Sequence, residues 1–313
     1  MLARLWYSRG MRRDVPILSH KPVTRSRDEL IARWSVLALM AVGLAYTAAL
    51  VAGIAPDNFD AHSYWMADLA DPYARSRVGT DYAYLYSPAF AQAIEPLRWL
   101  PWTIAGAIWT IGLFGLLGWT AGRLGLVLLL FQPVVASIAL GNVEIPIAAA
   151  IVAGFRWPAA WSFVLLSKVT PGIGLLWFAV RREWRSLAIA LGVTAAISAA
   201  SFVLAPHLWF DWFDVLFKNR DAAVRLPVLP GPIWLRVLIA AAIVIWGART
   251  NRRWAVPVAA GIAMPVGWFT FTVVIVVGIA GLLVRDPEWT VRGTILRITS
   301  WMRRGRLPQA ETT

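Results

Sequence analysis

Cysteine is absent from all 313 residues. Disulfides, thiol nucleophiles and Cys-ligated zinc or iron–sulfur centres are therefore excluded, while the compartment stays open. Acidic residues are scarce as well: 17 Asp and Glu stand against 30 Lys and Arg, for a formal net charge of +13. The first 33 residues are basic but lack a compact apolar core followed by a small-residue cleavage site, so no cleaved leader is expected and the first apolar run reads as an uncleaved anchor. No convincing internal repeat is found.

Apolar residues, by contrast, dominate. They make up 59% of the chain, mean hydropathy is +0.62, and apolar runs reach the roughly 17 to 25 residues that cross a bilayer. Lipid offers no partner for a free backbone N–H or C=O, so each run must be helical. An all-α polytopic membrane protein follows. The cations cluster at the ends of these runs: an N-tail from Arg4 to Arg33, Arg181-Arg-Glu-Trp-Arg, Arg249-Thr-Asn-Arg-Arg, and a C-tail from Arg285 to Arg306. Such placement is the positive-inside signature and suits anionic lipid headgroups, so membrane lipids are expected partners and nucleic acid is not.

The same charges set a topology by parity. With the 1–33 tail cytoplasmic, a first span at about 34–54 leads out, a loop at about 56–100 lies outside, and spans at about 102–120, 124–140 and 145–155 follow in turn. The stretch 158–180 begins and ends beside cytoplasmic cations, so it is expected to be two short helices meeting outside at Ser167-Lys168-Val-Thr-Pro, where Pro171 breaks the helix. Next come 186–205, an outer loop at about 206–232, 233–248, and a hairpin over 254–283 turning near Met264-Pro-Val-Gly-Trp. The sum is one integral-membrane domain over 34–284 with about ten segments, and a basic 285–313 tail returned to the cytoplasm. Most of the 19 Trp fall near span ends, as an aromatic belt would.

Three polar groups converge on the outer face: the first loop, the Gly141-Asn-Val-Glu turn and the Lys168 turn. Ionisable residues at a membrane border are costly unless they pair or line a cavity, which marks a site. Bland alternatives stand beside that reading. Asp60 suits a helix N-cap; Asp68 and Asp71 suit solvated loop positions; Glu144 and Lys168 suit a structural ion pair; Asn142 after Gly141 suits a helix stop. Tyr84, Tyr86 and Ser87-Pro88 suit a fixed re-entrant loop. Asp57, Asp60 and His62 match no strong ligand spacing, so a divalent metal is left open without being favoured. In the second loop, residues 211–220 alternate aromatics and charges as an interfacial helix does, and Lys218, Arg220 and Arg225 are cations suited to a lipid phosphate.

The run Asp60-Ala-His-Ser-Tyr-Trp, Asp71-Pro-Tyr, Tyr84-Leu-Tyr-Ser-Pro-Ala-Phe, Glu95-Pro-Leu-Arg-Trp-Leu-Pro, Gly141-Asn-Val-Glu and Lys168-Val-Thr-Pro resembles the family 87 glycosyltransferases of the GT-C superfamily. The resemblance covers about 34–185 well and the later spans by hydropathy only. Two departures stand out: the chain is shorter than typical members, and Gly-Asn replaces a more usual Gly-Gln start. The resemblance implies a GT-C-like bundle in a bacterial plasma membrane, a catalytic carboxylate in the first outer loop matched by Asp60, and a polyprenyl-phosphate sugar donor, with mannose the expected sugar and a lipid or glycan the acceptor. Asp60 would be the general base and Lys168 the partner of the leaving phosphate. His62, Tyr64, Tyr86, Asn142, Glu144 and Arg225 are the further substrate-binding candidates, and no cofactor is expected. A secondary transporter, suggested by breaks near Pro171 and Pro265, and a non-catalytic lipid-binding or assembly subunit are the rival readings.

Overall fold

The computed structural model describes residues 58–220, 231–265 and 269–285, together with Trp34, Leu37 and Ala41. Most of the expected first span, Asp57, both basic tails, Arg225 and part of the expected last turn, 266–268, lie outside the described residues. Among the described residues every regular element is helical and no strand occurs.

Two short helices, α1 (Phe59–Met66) and α2 (Pro88–Arg98), occupy the first expected loop. α3 (Trp102–Ala121) and α9 (Trp184–Leu204) are the two described helices long and apolar enough to cross a membrane singly. Between them lie α4 (Leu124–Leu128), α5 (Gln132–Leu140), α6 (Glu144–Gly154), α7 (Trp161–Ser167) and α8 (Leu176–Val180), with 3₁₀ turns at Pro158–Ala160 and Thr170–Leu175. After α9 come α10 (Pro206–Lys218), α11 (Ile233–Arg249), α12 (Ala255–Ile262) and α13 (Phe271–Arg285).

The pair meeting at Lys168 has the form expected: α7 ends at Ser167, Lys168 is extended, and Pro171 opens the next turn. A difference arises at 124–140, expected as one span. It is two helices, α4 and α5, because Pro133 at the start of α5 has no N–H to give and its ring would collide with the carbonyl four residues back. α5 then meets α6 at a bend of 108°.

α6 is the enclosed centre. Glu144, Ile145 and almost every residue from Ile147 to Gly154 are buried, and α3, α7, α12 and α13 pack around it. Among the described residues, two side-chain clusters build the core. One joins Leu113, Phe114 and Leu117 of α3 to Val134, Ile145 and Val277; the larger one centres on Trp161, Trp177, Ile147 and Val256. α9 is different in kind, burying only Ala190 and Ser201 and exposing Ile189, Leu191 and Ile197, as a lipid-facing helix does.

Three cations, Arg285, Arg181 and Arg253, tie helices together at one end of the bundle. Arg285 closes α13 against the end of α3, donating to the Trp119 carbonyl at 2.8 Å; Arg181 after α8 donates to Ala248 at the end of α11 at 3.2 Å; Arg253 before α12 stacks over Phe155 after α6. The opposite end holds α1, the α5–α6 corner and the Lys168 turn.

Gly141 makes that corner possible. Its φ is +70°, and a Cβ there would sit 2.5 Å from the Ala61 Cβ of α1. Trp109 of α3 fixes the corner by donating to the Gly141 carbonyl at 2.7 Å. Gly141→Ala is therefore expected to cost about 2 kcal/mol or more, from left-handed strain plus overpacking. Thermal melting of the purified protein in detergent checks this, with the exposed Gly112→Ala as the clash-free control, since a Cβ at Gly112 meets nothing within 4 Å.

Candidate functional site

Asp60 stands in the first turn of α1 and does not cap it: Asn58 is the N-cap residue. Asn58 is instead fully buried and ties α1 to α3, its amide donating to Thr110 Oγ1 at 2.6 Å. One turn after Asp60 on the same face comes Tyr64. Its hydroxyl lies 3.0 Å from that of Tyr86. Tyr86 immediately precedes Ser87, which is extended (ψ 157°) because Pro88 follows it, and which caps α2 by accepting from the Phe90 N–H. Ser87 Oγ also donates to the Leu166 carbonyl at 2.5 Å, joining this loop to the turn that carries Lys168.

Asn142 and Glu144 come from the α5–α6 corner. The Val143 N–H donates to Asn142 Oδ1 at 2.7 Å, so the amide nitrogen is the atom that faces Asp60, donating to Oδ2 at 2.7 Å. Lys168 Nζ donates to Glu144 Oε1 at 3.0 Å. Thr270 Oγ1 reaches the same oxygen at 3.4 Å, and Ser137 Oγ reaches Oε2 at 3.4 Å. Glu144 is only 3% exposed. Trp109, which anchors Gly141, is seven residues into α3, so the cluster is sunk roughly 10 Å below the start of that helix.

Electrostatics follow from this enclosure. Burial, and then the negative charge of Glu144, push the Asp60 carboxyl up to about 7 against the opposing pull of Lys168 and the Asn142 hydrogen bond. Asp60 is thus poised to gain or lose a proton near neutrality. Burial raises the Tyr64 phenol well above its usual range and Tyr86 to about 12, so both hydroxyls keep their protons.

Of the residues expected from sequence, Asp60, Tyr64, Tyr86, Asn142, Glu144 and Lys168 are brought together. His62 is not among them. Two positions from Asp60 puts it on the far side of α1, where it stacks on Trp102 at 4.2 Å and meets the edge of Tyr82 at 4.9 Å. Among the described residues no three His, Asp or Glu side chains gather as a ligand set. Glu144 and Lys168 do form the ion pair that the bland reading anticipated, yet both also act electrostatically on Asp60. Asp68 is exposed and lies 3.4 Å from Arg98, and Asp71 is exposed.

Ser137 and Thr270 were not legible as site residues. A single hydroxyl in an apolar helix usually bonds its own backbone one turn back, and nothing in the sequence separates these two from that majority. α10 has the expected amphipathic form: Leu208, Trp212 and Val215 face inward, while Phe210, Phe213 and Phe217 are exposed. Its Trp212 donates to the Leu85 carbonyl at 3.2 Å, and Asn219 after it donates to Ser76 at 2.6 Å, so it braces the loop that ends in Tyr86. Lys218 pairs with Asp214 on the exposed side.

Residues 84–300 match the sequence profile of glycosyltransferase family 87. That segment holds Tyr86, Asn142, Glu144 and Lys168, while Asp60 and Tyr64 precede it. No curated protein and no solved structure matches the chain.

Proposed function

The chain belongs to glycosyltransferase family 87, and from that membership and the Asp60–Lys168 cluster we propose that this membrane protein moves a sugar, mannose, from a polyprenyl-phosphate-linked donor to an extracytoplasmic lipid or glycan acceptor. The observation that carries the reading is a carboxylate tuned near neutrality in the same polar cluster as an ammonium.

In this mechanism Asp60 takes the proton of the acceptor hydroxyl as its oxygen bonds to the anomeric carbon. The bond from that carbon to the phosphate oxygen breaks on the opposite face, its electron pair leaving with the polyprenyl phosphate. A single displacement inverts the anomeric centre, and the oxocarbenium character of the transition state is met by the surrounding carboxylates. Lys168 has three N–H donors, of which one serves Glu144, leaving two for the departing phosphate. Phosphate leaves without protonation, so no general acid is needed. Tyr64 and Tyr86, both protonated, are placed to donate to sugar or phosphate oxygens.

The lipid part of such a donor has a matching surface. An apolar groove of about 560 Å³ runs along α3 from Trp109 to Trp119, with Pro146 and Phe163 on its other wall. Gly112 and Gly115 leave its floor open, a Cβ at either meeting nothing within 4 Å. Its upper end adjoins the cluster through Trp109, whose ring packs on Tyr64 at 5.6 Å. A transporter would place charge at mid-depth in two related helices, whereas here the charges gather at one end. The cation-rich end is the cytoplasmic one by the positive-inside rule, and the membrane is the plasma membrane.

The test is transfer of labelled mannose by purified protein in vesicles, from polyprenyl-phosphate mannose and, separately, from a nucleotide-activated mannose. Label is expected to move from the lipid-linked donor only, insensitive to EDTA, with kcat/KM rising about tenfold per pH unit up to about 7 and then levelling as Asp60 completes its ionisation. Transfer from the nucleotide donor alone, or loss with EDTA, overturns the donor or the metal-free mechanism respectively. Folded protein that turns over neither donor supports the non-catalytic reading.

A further inference from the structure

Opposite charges in one buried cluster ordinarily pair, and a general base paired with an ammonium is a poor base. Here the expected partners are kept apart. Lys168 lies close enough to Asp60 to act on its charge, yet its hydrogen bond goes to Glu144 at 3.0 Å, while Asp60 receives the neutral amide of Asn142 at 2.7 Å. Both Glu144 oxygens are engaged within the protein, Oε1 by Lys168 and Thr270 and Oε2 by Ser137. Those partners come from three separate places: the α7 turn, the segment before α13, and α5. A buried carboxylate held in this way is fixed in position and has little left to offer a substrate.

We infer that Glu144 is a positioning residue that holds the Lys168 ammonium off the Asp60 carboxylate, leaving one free for the phosphate and the other free for the acceptor proton. This goes beyond its sequence-based standing as a substrate contact, and the roles of Asp60 and Lys168 in it rest on the transfer reading above. Take Glu144 away, and Asp60 is the carboxylate left acting on a flexible ammonium whose side chain is 18% exposed. A direct pair then forms and the base is quenched. Among the described residues, the titratable groups that face Asp60 are Glu144 from α6, Lys168 from the α7 turn, Tyr64 from α1 itself and Tyr86 from the loop before α2. Glu144 also acts directly, since its own negative charge disfavours ionised Asp60, so the two effects must be separated.

Titration of the Asp60 carboxyl does so without donor or acceptor, and its outcome is therefore independent of whether the protein transfers mannose. The carboxyl is followed by infrared difference spectroscopy, its band identified by disappearance in Asp60→Asn. Relative to wild type, Glu144→Gln is expected to lower the midpoint by about one pH unit or more, and Lys168→Met to raise it. In the Lys168→Met background, Glu144→Gln should lower the midpoint by less than half as much, because only direct repulsion remains. Glu144→Asp keeps the charge but shortens the reach, and is expected to give an intermediate fall; it serves if Glu144→Gln does not fold. An unchanged midpoint in either Glu144 variant overturns the inference. So does a fall of equal size with and without Lys168, which would leave Glu144 as a distant charge only. If transfer is observed, the acid limb of the pH–rate profile should move down with the midpoint, a displacement that mere loosening of the fold does not produce.

Discussion

Asp60→Asn is expected to lower transfer from the lipid-linked donor by about 10² to 10⁴-fold, with an unchanged helical spectrum and elution volume. The range is that of a lost general base. The amide keeps the size of the carboxylate and still accepts from Asn142, so the α1 contacts at Ala61 and Asn58 persist. Stability supplies a second signature. The folded protein holds the Asp60 proton up to about pH 7, whereas an unfolded carboxyl loses it near 4. The folded state thus binds more protons between those values, and wild-type stability falls as pH rises from about 4 through 7. Asp60→Asn removes that cost, so the variant is expected to melt higher than wild type at pH 8 and alike at pH 4. Melting curves at the two pH values check it. Transfer that survives the substitution would remove Asp60 from the chemistry.

Lys168→Met is expected to act on two quantities at once. Losing a fixed cation where the phosphate charge develops costs about 10² to 10³-fold in rate. The same change strands Glu144, 3% exposed, as an uncompensated buried charge, which destabilises by about 3 to 5 kcal/mol. Adding Glu144→Gln discharges the stranded group. The double variant should therefore recover most of the lost melting temperature and none of the lost rate. Chemical or thermal denaturation beside the transfer assay separates these outcomes, and recovery of both would show that Lys168 matters only as the partner of Glu144.

Much of the site was visible in the sequence because the bilayer simplifies the problem. Hydropathy and the positive-inside rule place Asp60, Asn142, Glu144 and Lys168 at one end of the bundle before any coordinate is known, and ionisable residues there have few places to go other than toward each other. The break at Lys168 was legible for a related reason: cations on both sides of 158–180 forbid a single crossing, and Pro171 offers the break. Pro133 carries the same signal, but no cation follows it until Arg156 to force the issue, and 124–140 read as one helix. His62 shows the limit of motif reading. It shares a run with Asp60, but a helix turns residue i+2 to the far side, where stacking on Trp102 accounts for it. Ser137 and Thr270 were hidden because their meaning depends on a neighbour seven residues away in one case and 126 in the other. Asp60 illustrates how environment overrides local chemistry: a first-turn position should favour its anion, but burial and Glu144 outweigh that preference.

The groove along α3 lies between exposed Ile108 and Trp119 on the outer surface of the bundle and meets the polar cluster at Trp109. A substrate entering by that route arrives by lateral diffusion within one leaflet, so its effective concentration is a mole fraction among lipids and not a molarity in water. Turnover on such a path responds to how crowded the leaflet is with competing long-chain lipids, and is indifferent to the volume of solution around the membrane. A cell could then raise or lower flux through this protein by altering bilayer composition alone, with neither the amount of protein nor the total amount of donor changed.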